Sequence, residues 1–144
     1  MNNENLNYKR HTLSHILASV LIEKYPGTLL TLGPAIDNGF YYDIDFTENE
    51  KPNTEEDFKQ ITELMKEKLN LGGKFSHKEV SKDDALEFFK NNPYKIELIN
   101  EIVGRGEKIT LYTINFTDGS NFTDLCRGGH IENISEIDIN SFKI

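Results

Sequence analysis

Seven residues, Asp124-Leu125-Cys126-Arg127-Gly128-Gly129-His130, gather a carboxylate, the only cysteine, a guanidinium and an imidazole. The two glycines among them let the backbone turn sharply. Near the other end of the chain stands a second cluster, His11 and His15. Three of the four histidines and the sole thiol thus fall into His-x-x-x-His and Cys-x-x-x-His. Such groups support two kinds of chemistry. Two imidazoles at helical i, i+4 spacing, completed by Cys126 and His130, make a tetrahedral set that zinc accepts. Without a metal, imidazoles that titrate near neutral pH can position a water and shuttle protons in a hydrolytic cleft. The bland reading is packing alone, with Cys126 as a small buried apolar residue. Both chemical readings require the fold to bring the two clusters together.

Other catalytic patterns are absent or faint. The loop from Gly33 to Gly39 has neither the lysine nor the glycine spacing of a phosphate loop. No Gly-x-Ser-x-Gly elbow exists. A cysteine nucleophile activated by histidine is only weakly signalled.

The elements that must carry the clusters can be read from periodicity. Residues 10–25 read as a helix, with Leu13, Ile16, Leu17, Val20 and Leu21 as its apolar stripe and Pro26-Gly27 as its stop. His11 and His15 then project from one side of its first turns. Residues 28–32 read as a short strand, and Asn38-Gly39 as a tight turn. In residues 40–46, Phe40, Tyr42, Ile44 and Phe46 alternate with Tyr41, Asp43 and Asp45, the pattern of a half-buried antiparallel strand.

After a polar loop, Thr54 and Asp57 resemble a capping box. The helix they open carries Phe58, Ile61, Leu64, Met65 and Leu69 on one side and ends at Gly72-Gly73. Residues 74–80 form a candidate strand, on which the lone His77 reads as a surface residue. Ser81 caps a short helix over 82–90. Pro93 starts another, with Ile96, Ile99, Ile102 and Val103 on its buried side, broken by Gly104-Arg105-Gly106. Residues 108–116 and 121–125 form a hairpin around Asp118-Gly119 that leads directly into the cysteine cluster. Residues 131–144 alternate weakly. The expected architecture is a single α+β domain over residues 1–144. Its antiparallel sheet is covered by helices, and the N-terminal helix lines the cleft.

Composition narrows the function. A chain of 144 residues suits one domain with one core. The formal charge of −8 argues against a domain that grips nucleic acid unaided. It leaves room for contact with one end of a nucleic acid delivered by other domains. Lys9, Arg10 and Arg127 do collect near the clusters. The sequence contains no apolar run long enough to cross a bilayer and no secretory signal, and one cysteine makes no internal disulfide, so a cytoplasmic location is expected.

Four ordered motifs then carry a resemblance: Arg10-His11-x-x-x-His15, the run Gly33-Pro34-Ala35-Ile36-Asp37-Asn38-Gly39-Phe40-Tyr41-Tyr42-Asp43, Tyr94-Lys95, and Asp124 to His130. Together they resemble the editing domain of bacterial-type threonyl-tRNA synthetases, in the family shared with alanyl-tRNA synthetase editing domains. The resemblance runs from about Arg10 to the C-terminus. It implies hydrolysis of seryl-tRNA(Thr), a mischarging product that arises because one missing methyl separates serine from threonine by only ~1–3 kcal/mol.

It also implies roles. His11, His15, Cys126 and His130 line the cleft. Lys95, which the residues alone would leave on a helix surface, and His130 position or activate the attacking water. His11 and Asp124 hold the terminal adenosine or the seryl group. Tyr42 helps form the wall that rejects the extra methyl, and Gly33 and Arg127 contact substrate. The threonyl branch implies no metal, while the alanyl branch implies zinc on His11, His15, Cys126 and His130.

The implied partners are the tRNA(Thr) 3′ end carrying serine and the catalytic and anticodon-binding domains of a parent synthetase. On this reading the chain is a domain excised from a longer enzyme. A zinc-dependent alanyl-type editor and an inactive tRNA-binding module are the alternatives. Where Gly129 stands the family usually has proline, so a looser turn ahead of His130 is expected.

Overall fold

The computed structural model describes residues 3–33, 35–36 and 38–144, with side chains described from residue 5 onward. The order is α1 (Asn3–Lys24), β1 (Leu29–Leu30), β2 (Ala35–Ile36), β3 (Gly39–Phe40), β4 (Ile44–Asp45), α2 (Glu55–Leu71), β5 (Gly73–Val80), α3 (Lys82–Phe88), α4 (Pro93–Gly104), β6 (Ile109–Phe116), β7 (Asn121–Leu125) and a 3-10 turn (Ile134–Glu136). This is the expected α+β arrangement. Helices lie against a three-stranded antiparallel sheet ordered β5-β6-β7.

The sheet has two apolar faces because strand side chains alternate. Phe75, Ile114 and Phe122 stand opposite one another and pack with α1 and α2. Val80, Ile109 and Leu125 belong to a second, smaller cluster with Ala85 and Ile99 of α3 and α4. Asp124 pairs with Tyr112, which pairs with His77, and by period two this row shares the face of Phe75 and Phe122. Asp124 therefore stands on the side of the sheet that α1 covers.

Helix α1 is longer than its apolar periodicity suggests, beginning at Asn3, and it is buried on nearly all sides. Residues 12–16 and 18–21 are all buried. Its inward polar groups are satisfied locally: Thr12 Oγ1 donates to the Tyr8 carbonyl, and Ser19 Oγ to that of Ile16. A helix boxed in this way holds its histidines on a rigid element rather than on a solvent-facing stripe.

Residues 29–45 form one hairpin in two pieces. Leu29 pairs with Asp45 and Leu30 with Ile44, while Ala35 pairs with Phe40 and Ile36 with Gly39. The strands expected over 28–32 and 40–46 are thus shorter than the alternation suggested. The alternation itself holds, since Tyr42 is buried and Tyr41 is exposed. Gly39 pairs with Ile36 and so stands on β3, not in the tight turn expected at Asn38-Gly39. Pro34 and Asp37 of the loop motif lie outside the described residues.

The capping box forms as read, with Thr54 Oγ1 accepting from the Asp57 amide and the Asp57 side chain accepting from that of Thr54. Two apolar assignments need correction. Phe58 and Val103 are exposed. Phe58 lies in the first turn of α2, at the lip of a groove it shares with Phe46 and Pro52. Val103 lies in the last turn of α4, turned off the line Ile99–Ile102 that meets the sheet. The weakly patterned tail contributes Ile131, Ile134 and Ile137 to the main core. No helix among the described residues is long and apolar enough to cross a membrane.

Candidate active site

The two histidine clusters do meet. The ligand-type atoms of His11, His15, Cys126 and His130 all lie within 4.8 Å of one another. His15 Nε2 is 3.2 Å from His11 Nε2, and Cys126 Sγ is 3.2 Å from His130 Nε2. The ring of His130 is stacked between those of His11 and Phe75, with centroids 4.1 Å away on each side.

The far nitrogens fix the tautomers. His15 Nδ1 is 3.1 Å from Asp124 Oδ2, a carboxylate that can only accept, so that nitrogen carries the proton. Thr12 spends its own proton on the Tyr8 carbonyl, so it accepts from His130 Nδ1 at 3.3 Å. The carbonyls of Gly128 and Gly129 favour the charged form of His11. With Nδ1 of His15 and His130 acting as donors, their Nε2 lone pairs face the cluster. The result is an acceptor-rich centre.

Below it lies a buried ion pair. Lys95, on α4, is 1 % exposed, and its Nζ is 2.7 Å from Asp124 Oδ1. Its remaining protons go to the Thr31 carbonyl and to Tyr42 Oη at 3.0 Å. Tyr42 Oη in turn donates to Asp124 Oδ2. The three ammonium protons of Lys95 thus have three acceptors, and Asp124 is shared by Lys95, Tyr42 and His15. Such a pair survives burial only when its lone pairs and protons are satisfied in this way.

Electrostatics follow from burial. Burial lowers His11 to about 4, helped by repulsion from His15. It lowers His130 to about 2, helped by His15 and His11. Burial pushes the Cys126 thiol up to about 12. Burial alone would raise the Asp124 carboxyl, but the Lys95 ammonium and His15 more than reverse this and hold it well below the usual carboxylate range. Burial and the adjacent Asp124 raise the Tyr42 phenol well above its ordinary value. At neutral pH His11 and His130 are therefore neutral imidazoles and Cys126 a neutral thiol, above the ionised Asp124 carboxylate.

These shifts dictate an acid sensitivity. His11 and His130 take up protons in the unfolded chain near pH 6.5 but stay neutral in the fold down to about 4 and about 2. Their depressed values contribute stability that is full above pH 6.5 and lost as pH falls toward 4. Thermal melts of chelator-treated protein are expected to show Tm falling steadily between pH 7 and 5. A flat Tm over that range would contradict the neutral, buried histidines.

The cleft above the centre encloses about 300 Å³. His11, His15, Gly33, Tyr42, Asp124, Cys126 and Arg127 line it, while Leu32, Leu98 and Ile102 form an apolar wall. Lys95 and His130 stand immediately behind that lining. Gly33 approaches Tyr42 so closely that a Cβ there would lie 2.3 Å from Tyr42 Cδ2 and 2.6 Å from the Tyr41 carbonyl. Ser14 Oγ hydrogen-bonds the Gly33 carbonyl, tying the hairpin to α1. Gly33 thereby positions Tyr42 as well as facing the cleft. Arg127 reaches Glu107 at the mouth. Arg10 donates to the Ile36 carbonyl on the hairpin, away from the cluster.

Gly129 has φ +90, a backbone conformation closed to proline. Residues 126–130 therefore follow a path that a proline-bearing loop cannot share. The stack between Phe75 and His11 holds His130 in register despite the two glycines. Thr12 and Phe75 are the site residues that motif reading missed. A threonine buried inside a helix was the available signal for the first. His77 stacks on Tyr112 at an exposed position, with centroids 5.0 Å apart, consistent with the surface reading.

Fold and site together define an α+β domain whose N-terminal helix and hairpin end pool three imidazoles and a thiol over a buried lysine–aspartate pair. The chain matches no protein-family model. It is 42% identical over 136 residues to the threonine--tRNA ligase of Borrelia turicatae, covering 94% of this chain and 22% of that enzyme. It is 50% identical over 123 residues to the threonine--tRNA ligase of Flavobacterium psychrophilum, covering 85% of this chain and 18% of that enzyme. The corresponding ligase of Flavobacterium johnsoniae is 49% identical over 123 residues. These threonine--tRNA ligases are homologous to the chain over one segment, and the chain spans about a fifth of their length.

Proposed function

We propose that this domain hydrolyses the ester of serine misattached to tRNA(Thr). The observation that carries the reading is the convergence of His11, His15, Cys126 and His130 over the buried Lys95–Asp124 pair, in a segment homologous to threonine--tRNA ligases.

The terminal adenosine packs against Leu32, Leu98 and Ile102, with Arg127 on the substrate side of the mouth. His11 and Asp124 hold the seryl ester over the centre, and His15 and Cys126 complete its floor. A water oxygen attacks the ester carbonyl carbon, and its proton passes to a neutral imidazole, assigned to His130. The negative charge that develops on the carbonyl oxygen lies in the field of the Lys95 ammonium, whose three protons stay with Asp124, Tyr42 and the Thr31 carbonyl. The intermediate collapses by breaking the bond to the ribose oxygen, and the imidazolium returns its proton there. Serine and deacylated tRNA leave.

Tyr42 is fixed at both ends, by Gly33 behind its ring and by Asp124 and Lys95 at its hydroxyl. A wall held this rigidly excludes a methyl group by overlap rather than by weak preference, so threonine is spared. Deacylation assays with Ser-tRNA(Thr) and Thr-tRNA(Thr) test this. Serine release well above the buffer rate is expected, with the threonyl ester cleaved at least ~10-fold more slowly, the scale one methyl group can give. Equal cleavage of both esters, or of neither, would remove the reading.

A second reading rests on the donor set. Zinc bonds of ~2.0–2.3 Å require closely converging ligands, and the four atoms within 4.8 Å of one another are near that geometry. Asp124 behind His15 and Thr12 behind His130 are suitable outer partners. His11, His15, Cys126 and His130 would hold the ion, which when bound polarises a carbonyl or a water. Stoichiometric zinc found by elemental analysis, and lost in Cys126→Ala, would favour this reading and a hydrolase of the alanyl type.

A further inference from the structure

At the mouth of the cleft, Glu107 sits between two arginines. Its Oε2 is 2.6 Å from Arg127 Nη2 and its Oε1 is 3.0 Å from Arg105 Nε. One carboxylate thus uses an oxygen on each guanidinium, joining the turn after α4 to the catalytic loop. Lys108 lines the same mouth and reaches Glu79 only at 3.6 Å. Three cations and one acid therefore edge the opening, on a chain whose formal charge is −8.

Surface ion pairs contribute little to stability, so this one invites another explanation. A cleft of about 300 Å³ is at the small end for ligand pockets. One nucleoside with its amino acid fills it. A polynucleotide that inserts its last residue must continue outward, and the first charged group it presents is the phosphodiester. Two guanidinium groups held apart by a carboxylate match the two free oxygens of a phosphate, because both anions accept bidentate forks. The approach is open: a Cβ added at Gly104 or Gly106 would meet nothing within 4 Å.

We propose that Arg105, Arg127 and Lys108 form a phosphodiester clasp for the penultimate linkage of an incoming tRNA 3′ end, with Glu107 as the internal stand-in that the phosphate displaces. This rests on the editing reading for the identity of the polymer. The chemistry recognised is a phosphate monoanion flanked by sugars.

The test compares two substrates. Seryl-adenosine lacks the phosphate, whereas seryl-tRNA(Thr) carries it. In Arg105→Ala and Lys108→Ala, the ratio of kcat/KM for seryl-tRNA to that for seryl-adenosine is expected to fall roughly tenfold, the scale of one charge-assisted contact. The salt dependence of log kcat/KM for the tRNA substrate is expected to flatten by about 0.7, the single-strand value for one phosphate contact. Glu107→Gln, which removes the competing anion, is expected to move the ratio the other way.

A ratio that stays constant in all three variants would overturn the clasp. Binding of a trinucleotide ending in adenosine, measured by anisotropy against adenosine and against inorganic phosphate, separates this outcome from failure of the editing reading. Weakened trinucleotide binding in Arg105→Ala supports the clasp even where no ester is cleaved. Unaltered trinucleotide binding, or inorganic phosphate competing as strongly as the trinucleotide, counts against it.

Discussion

Lys95→Met is expected to abolish deacylation and to destabilise the domain together. Lys95 Nζ pairs directly with Asp124, and both residues are almost wholly buried. Removing one partner of a buried, hydrogen-bonded pair leaves the other charge uncompensated, which costs about 3–5 kcal/mol. For a domain of this size that lowers Tm by roughly 10 °C. Burial then pushes the orphaned Asp124 carboxyl upward, because the ammonium that opposed desolvation is gone. A raised carboxyl stabilises at low pH and loses that contribution as pH rises through its folded value. The variant's Tm deficit against wild type is therefore expected to shrink on acidification.

Adding Asp124→Asn to Lys95→Met removes the unpaired charge and keeps an acceptor for Tyr42, so Tm should recover while activity does not. That split shows that the Lys95–Asp124 pair serves the reaction as well as the fold. Full activity in the refolded double variant, or an undisturbed Tm in the single one, would contradict the buried pair as the basis of the site.

The same residue shows where sequence reading reached its limit. Periodicity located α4 and assigned Ile99 and Ile102 to its buried side. Lys95 occupies the next position up that stripe, four residues before Ile99. A charged side chain there is discounted because long lysines usually carry their charge to water. What reverses this is Asp124, distant in sequence and delivered by β7, and no local pattern encodes that pairing. The histidine and cysteine clusters were legible because each is compact in sequence and uses residue types that seldom gather by chance. Their meeting was a requirement of the chemistry that no local pattern encodes, and the tertiary fold supplies it.

The hairpin over 29–45 was legible only in outline. Alternation placed Tyr42 inward, but the turn position depends on the pairing of Ile36 with Gly39. The true setting of Gly129 was illegible for a related reason. Its φ of +90, beside Tyr8 and His11, is a backbone setting that no local residue pattern encodes.

His130→Phe should separate chemistry from packing more cleanly than alanine. The imidazole lies flat between Phe75 and His11, at interplanar angles of 12° and 24°. A phenyl ring can occupy the same slot, losing only the contacts to Thr12 and Cys126. Tm is expected to stay close to wild type, with the acid sensitivity between pH 7 and 5 reduced because one depressed histidine is gone. Serine release should fall at least ~100-fold, the scale of a lost general acid–base group, and the loss should appear in kcat rather than KM. His130→Ala should lose activity to a similar degree and stability as well, since it empties the slot. If His130→Phe cleaves seryl-tRNA(Thr) at the wild-type rate, the proton acceptor is another member of the cluster. His11 is the first candidate, because it lines the cleft and retains the higher proton affinity of the two, at about 4 against about 2. The two histidines therefore make different predictions for the pH–rate profile: a limb that vanishes in His11→Phe but persists in His130→Phe would transfer the role.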